Sequence, residues 1–245
     1  MWLNALLFFV VGTVVGSFLN VVIYRIPRGE SIVFPASHCP KCNHKLAPWD
    51  LIPILSYLFL GGKCRYCGEP ISWQYPVVEF ISGLLFAVAS FLPLPEMIFF
   101  IVFVCFSLPL SLIDLQTMLI PEVLILPLIG VLILCRAFMH EWSILMGALA
   151  LFLIHLIIHL IVPDGFGIGD VFYAAAVGLM VPPHLLLVWF VLTYALGTMI
   201  GLALMGLNKI ERRSPLPFAP IMFAGTLITY FLGSYIYNWY LTLFL

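Results

Sequence analysis

Along most of this chain the apolar positions do not alternate with polar ones. They continue, almost without charge, for about the 20 residues that a helix needs to cross the hydrocarbon core of a bilayer. Eight such runs, separated by Pro, Gly or a charge, are predicted as spanning helices: approximately 2–23, 77–93, 97–113, 122–138, 143–162, 170–182, 185–206 and 219–243, the sixth being short. The one long interruption is 24–76, where Cys, Pro, Lys and Asn replace the uniform hydrocarbon. The opening run has neither a basic preceding stretch nor a small-residue cleavage site, and so reads as a retained first helix and not a removed signal peptide.

Composition agrees with the pattern. Hydrophobic residues make up 64% and charged residues 9%, whereas a soluble domain carries about a quarter charged residues. The expected fold class is therefore an all-α polytopic membrane protein of about eight transmembrane helices with a small extramembrane loop domain. Three segments follow: a first transmembrane helix over 1–23, a loop domain over 24–76, and a membrane core over 77–245. The lipid bilayer is the expected surrounding partner. A formal net charge of −1 gives no reason to expect a nucleic-acid partner.

Where the basic residues fall sets the orientation. Eight spans put the connections 24–76, 114–121, 163–169 and 207–218 on one side. Arg25, Arg28, Lys41, Lys45, Lys63, Arg65, Lys209, Arg212 and Arg213 lie on that side, leaving Arg136 near the other. By the positive-inside rule the first side is cytoplasmic and both termini point outward.

The loop carries Cys39-Pro40-Lys41-Cys42 and Cys64-Arg65-Tyr66-Cys67, with 21 residues between the pairs. Two CxxC pairs at this separation read as a four-cysteine, zinc-ribbon-like site, the gap lying just beyond the usual range. A loop this small has little core of its own, so bound zinc would supply much of its folding energy. The alternative is unrelated free or disulfide-paired cysteines, and a cytoplasmic loop disfavours disulfides. Cys105 and Cys135 fall within apolar runs and read as small buried hydrophobes.

Ionisable groups at membrane depth are costly and therefore candidates for function. Asp114 ends the third run and Asp170 opens the sixth, so the topology brings both to the cytoplasmic membrane face. Two carboxylates sharing one proton can perform aspartic-protease chemistry: the ionised member takes a proton from water while the protonated member polarises the scissile carbonyl. Taken singly, each reads equally as a helix-end or capping residue. The glycines before Asp170 permit tight turns and close backbone approach. Asp164 competes as the second acid but lies in a loop without a matching motif.

The order of motifs carries a resemblance. GSFLNV at 16–21 with Arg25 and Pro27, SHCPKC at 37–42, GKCRYC at 62–67, YPVVE at 75–79, Ile113-Asp114 with Ile120-Pro121, GIGD at 167–170 and PFAP at 217–220 together resemble the type IV prepilin peptidase family, bifunctional membrane enzymes of the GxGD aspartic protease group. The resemblance implies residence in the bacterial cytoplasmic (inner) membrane and cleavage of the short basic leader of prepilin or pseudopilin substrates after a glycine. It also implies methylation of the new N-terminal amine with S-adenosylmethionine. On this resemblance Asp114 and Asp170 match the catalytic pair, and the cysteine loop matches the family's extra domain, often linked with methyl transfer. Glu79 lies in a matching segment and is assigned to methyl transfer. The chain departs from the family pattern at Phe172, where lysine is common, at Glu122 for a frequent aspartate, and at Ala219 for a frequent glycine.

Several features have plainer readings. His155 and His159 lie four apart but lack the glutamate of a metalloprotease helix. GTVVG at 12–16 and GTMIG at 197–201 suit helix packing, and NKIERRSPLP at 208–217 suits an orienting basic loop. The remaining alternatives are a peptidase without methyltransferase activity, a proton-coupled transporter and a zinc-folded scaffold. A transporter is disfavoured because both aspartates lie at helix ends and not near the midplane.

Overall fold

The computed structural model describes residues 2–162, 165–211 and 214–244. Asp164, Arg212 and Arg213 lie outside the described residues. Among these, nine α-helices occur: α1 (Trp2–Arg25), α2 (Leu55–Phe59), α3 (Gln74–Ala89), α4 (Leu94–Thr117), α5 (Glu122–Phe138), α6 (Trp142–Ile161), α7 (Ile168–Met180), α8 (Leu186–Gly206) and α9 (Ala219–Phe244). The all-α membrane architecture read from the hydrophobic runs is present, and a helix stands at each of the eight expected places.

Only five of them, α1, α4, α6, α8 and α9, are long and apolar enough to cross a membrane by the usual measure. The expectation of eight such spans is corrected at α3, α5 and α7, which have 16, 17 and 13 residues. At about 1.5 Å per residue these are shorter than the ~30 Å hydrocarbon core. Prolines account for two of the limits. Pro121 fixes the start of α5, and Pro182 pushes the preceding Val181 into an extended conformation that stops α7.

The chain divides into two compact units, Met1–Cys105 and Phe106–Leu245. In the first, α1 packs on α3 through small residues. A Cβ on Gly12 would lie 2.7 Å from the Ser82 carbonyl oxygen, and one on Gly16 would lie 2.8 Å from Cα of Glu79. The GTVVG stretch is thus a packing seam, as its spacing suggested. Buried Asn20 donates to the Tyr75 carbonyl at 3.1 Å, so the start of α3 lies level with Asn20.

In the second unit α7 is the most enclosed helix, with Val171, Tyr173, Ala174, Ala176 and Val177 fully buried. Gly178 meets α6 so closely that a Cβ would come within 2.5 Å of Cα of Ala148. At the C-terminal end of α7, buried Arg136 of α5 donates to the Leu179 carbonyl at 2.9 Å and pairs with Glu141. In α8, Trp189 donates to the Thr226 hydroxyl of α9 at 3.0 Å. Of the second small-residue stretch, Gly197 packs on Phe218, whereas Gly201 faces open space.

The loop between α1 and α3 is not a ribbon. It contains no sheet, only the isolated antiparallel bridges His38↔Lys45 and Lys63↔Pro70. Between them the apolar, proline-containing segment forms a 3-10 turn over Pro48–Leu51 and then α2. Pro48 and Pro53 have no amide to give to a strand ladder.

Replacing Gly178 by Ala should force α6 and α7 apart. Overpacking of this kind costs about 1–3 kcal/mol, so the thermal unfolding midpoint in detergent should fall by several degrees. Gly130→Ala, at a position with nothing within 4 Å, should leave the midpoint unchanged or slightly raised.

Candidate active and metal sites

Asp114 lies in the last turn of α4 and is 5% exposed. Its Oδ2 accepts the Ala219 amide at 2.9 Å, and the Phe218 amide also bonds to this carboxylate. These N–H groups open α9, where they have no intrahelical partners and where the helix dipole favours negative charge. The Ala219 side chain takes no part in this contact, so the departure from glycine leaves it intact.

Asp170 stands at the third position of α7, and its Oδ2 accepts the Gly167 amide at the start of that helix at 3.1 Å. Its Oδ1 is buried without a hydrogen-bond partner. The two carboxylates lie within electrostatic reach of each other. The structure thus brings together the two aspartates selected from the sequence, one from each end of a 56-residue separation, and gives each a helix N-terminus.

Gly169 sits against the segment after Asp114: a Cβ there would fall 2.7 Å from Cβ of Ile120. The close approach that the glycines permit is made with the protein's own Ile120-Pro121 turn. Phe172 stacks on Phe152 with ring centroids 5.9 Å apart, an apolar setting for a position where a lysine was expected.

Two groups near the aspartates had no sequence motif. Tyr173, one turn beyond Asp170, is fully buried beside Ser107 and Ser111, within electrostatic reach of Asp114. Tyr194 of α8 lies within electrostatic reach of Asp170 and packs against Phe190 and Phe218. The i, i+3 spacing from Asp170 was the one available signal for Tyr173. His155 and His159 join no metal-binding group among the described residues. His155 is enclosed by Phe166, Trp189, Phe190 and Tyr194, with Nδ1 2.8 Å from the Leu151 carbonyl. His159 Nδ1 lies 2.6 Å from the Phe166 carbonyl.

The four loop cysteines converge. The sulfurs of Cys39, Cys42, Cys64 and Cys67 all lie within 4.8 Å of one another, and those of Cys39 and Cys67 are 3.8 Å apart. Tetrahedral zinc with bonds of about 2.3 Å requires sulfurs roughly 3.8 Å apart, so the donor set and its spacing fit that metal.

The two halves are built alike. In each, the first cysteine's carbonyl accepts the amide four residues on (Asn43 and Gly68, both 2.9 Å), and its own amide donates to the carbonyl five residues on (His44 at 3.0 Å and Glu69 at 2.8 Å). Both turns require a left-handed residue, supplied by Asn43 at φ 55° and Gly68 at φ 73°. Burial opposes the Cys39 thiolate, but the backbone amides of Cys42 and Lys41 outweigh it and lower its pKa to about 7. At Cys67 the Glu69 amide works downward, yet burial and the neighbouring thiols push the value up to about 12.

Side chains other than the cysteines hold the halves together. Tyr66 packs its ring on His44 with centroids 3.6 Å apart and donates its hydroxyl to Asp50 at 2.8 Å. Arg65 also donates to Asp50, at 2.6 Å, and Lys41 pairs with Glu69 at 3.6 Å. Asp50, Tyr66 and His44 went unnoticed in the sequence because nothing in their spacing links residue 50 to residues 65 and 66.

Glu79, in the second turn of α3, is buried and accepts the Ile54 amide at 2.7 Å, with the Ser17 hydroxyl as a second partner.

Comparison with known proteins identifies a family. Residues 10–92 match the model of the bacterial peptidase A24 N-terminal domain, and residues 101–202 match that of the type IV leader peptidase family. The chain is 35% identical over 238 residues to a prepilin leader peptidase/N-methyltransferase of Bacillus subtilis (strain 168), covering 95% of this chain and 96% of the relative. It is 32% identical over 278 residues to the protein of that name from Aeromonas hydrophila, covering 100% and 96%. A Myxococcus xanthus protein of the same name is 46% identical over 127 residues, 51% of this chain and 38% of the relative. No solved structure matches. The chain belongs to the type IV prepilin leader peptidase family.

Burial works against the Asp50 carboxylate, but Arg65, Tyr66 and the Ala47 amide more than compensate and hold its pKa below the usual carboxylate range. Because the folded value is the lower one, the stabilisation is complete above the unfolded pKa and is lost as pH falls through the folded one. Asp50→Asn should remove it at neutral pH, increasing trypsin cleavage after Arg65. The same exposure should appear in the wild type only on strong acidification.

Proposed function

We propose that the chain is a prepilin leader peptidase of the bacterial inner membrane that also methylates the amine it exposes. The observation that supports this best is the pair Asp114 and Asp170, each with one oxygen held by a helix-opening amide. With those oxygens fixed, the pair can share a single proton. The ionised member accepts a proton from water as the water oxygen attacks the carbonyl carbon of the scissile peptide, and the protonated member donates to the carbonyl oxygen. Collapse of the tetrahedral diol returns one proton to the departing amine and leaves the leader with a C-terminal carboxyl group. Both carboxylates and the cysteine loop face the cytoplasm in this reading, where the basic leader would be presented.

Cys39, Cys42, Cys64 and Cys67 would hold zinc as a closed structural site. Bound there, the metal supplies cohesion to the loop and no reacting group. Glu79, matched to methyl transfer by family resemblance, engages Ile54 and Ser17. Glu79 is therefore assigned a positioning role in the methyl-transfer half, holding the loop on α3.

Cleavage of a purified prepilin tests the reading directly. Asp114→Asn and Asp170→Asn should each lower the rate at least about 100-fold while leaving a folded, membrane-inserted protein. Asp164→Asn should stay near wild type. Near-normal cleavage by either of the first two variants would reject the pair.

Metal analysis of the wild type should find about one zinc per chain. Replacing Cys39 and Cys42 by Ser should abolish that zinc and reduce methylation more than cleavage. Mass spectrometry of the processed pilin N-terminus reports both reactions from one sample. Fully methylated product from the zinc-free variant would remove the cysteine loop from methyl transfer.

A further inference from the structure

Between the two cysteine knuckles runs Leu51-Ile52-Pro53-Ile54-Leu55-Ser56-Tyr57-Leu58-Phe59-Leu60-Gly61-Gly62, with no charge between Asp50 and Lys63. An aqueous loop has no evident use for such a stretch, and the structure does not bury it. Tyr57 alone turns inward: its ring lies 5.3 Å from Trp73 and its hydroxyl points to the Ile71 carbonyl. The opposite face of α2 carries Leu55, Leu58 and Phe59 at i, i+3 and i+4, which are 51%, 63% and 86% exposed. Ile52 and Trp73 are exposed as well.

The depth of this face follows from two hydrogen bonds. The Ile54 amide, at the start of α2, is tied to Glu79 in the second turn of α3. The first turn of α3 is in turn tied to Asn20 of the long spanning helix α1. A 16-residue α3 reaches only ~24 Å, less than the ~30 Å hydrocarbon core, so its beginning cannot stand clear of the bilayer. Side chains lean toward a helix's N-terminus, which places Ile54 near the first turn of α3, at the boundary of the hydrocarbon. The exposed face of α2 is thus continuous with the lipid-facing surface of α1 and α3, and Trp73 stands where tryptophans gather at membrane interfaces.

We propose that α2 is an interfacial helix whose Leu55, Leu58 and Phe59 enter the acyl-chain boundary, so that the cysteine domain rests on the lipid surface as well as on its two connecting helices. The bilayer occupies this face, as for other short amphipathic elements with a continuous apolar side. This does not depend on the peptidase reading.

Photo-crosslinking tests it. The full chain, carrying p-benzoylphenylalanine in place of Phe59 or, separately, Lys45, is reconstituted into vesicles of phosphatidylethanolamine and phosphatidylglycerol and illuminated. Adducts are then identified by mass spectrometry. Position 59 should give phospholipid adducts at a yield at least ten times that of position 45. The same contrast should hold for position 58, where a separate labelled variant guards against a local effect of one substitution. Equal yields at 45 and 59, crosslinking of 59 to a second copy of the chain, or no lipid adduct at 58 and 59 would overturn the proposal.

Discussion

The amides that open a helix have no partners within it, and inside a bilayer no water replaces them. This protein meets that constraint with carboxylates at three places. Glu79 accepts the amide of Ile54 at the start of α2, Asp170 that of Gly167 at the start of α7, and Asp114 those of Phe218 and Ala219 at the start of α9. In each case a residue that is expensive at membrane depth is matched with backbone dipoles that favour its charge. The arrangement also makes the acids structural: the same contacts that start α7 and α9 fix Asp170 at the opening of α7 and Asp114 at the opening of α9.

Much of this was legible in the sequence, for identifiable reasons. Long uncharged runs marked every membrane helix because hydropathy is local information. Asp114 and Asp170 stood out because a carboxylate at the end of an apolar run is rare, and the CxxC pairs because thiol spacing maps directly onto metal geometry. Helix length was less legible: α3 and α7 continue the hydrophobic pattern, but helical hydrogen bonding stops at turns that hydropathy does not register. Nor does sequence reveal that Asp50 serves Arg65 and Tyr66, that Tyr173 and Tyr194 approach the aspartates, or that Glu79 reaches back to Ile54. Each is a contact between positions whose separation has no period.

Arg136 has a role that its place near the end of a hydrophobic run does not reveal. It was the basic residue left on the side opposite the loops, and in the structure it does not lie free at a membrane surface. Its guanidinium is buried against the Leu179 and Met180 carbonyls and Glu141. Arg136 satisfies carbonyls that end α7 without intrahelical partners. The cysteine loop follows a similar economy, using one turn twice and joining the copies through Tyr66, Asp50 and the Lys41–Glu69 pair.

The two ends of α7 are each held against another part of the chain, Gly169 on Ile120 at its first turn and Leu179 by the Arg136 guanidinium at its last. A helix clasped in this way has its length and its phase fixed together. One residue inserted between Asp170 and Leu179 would rotate one clasp by about 100° relative to the other and lengthen the helix by about 1.5 Å, so both could not remain closed. The segment 170–179 therefore acts as a molecular ruler. Side chains along it can be exchanged within the limits of packing, but its number of residues cannot drift, and insertions or deletions belong in the connections outside it.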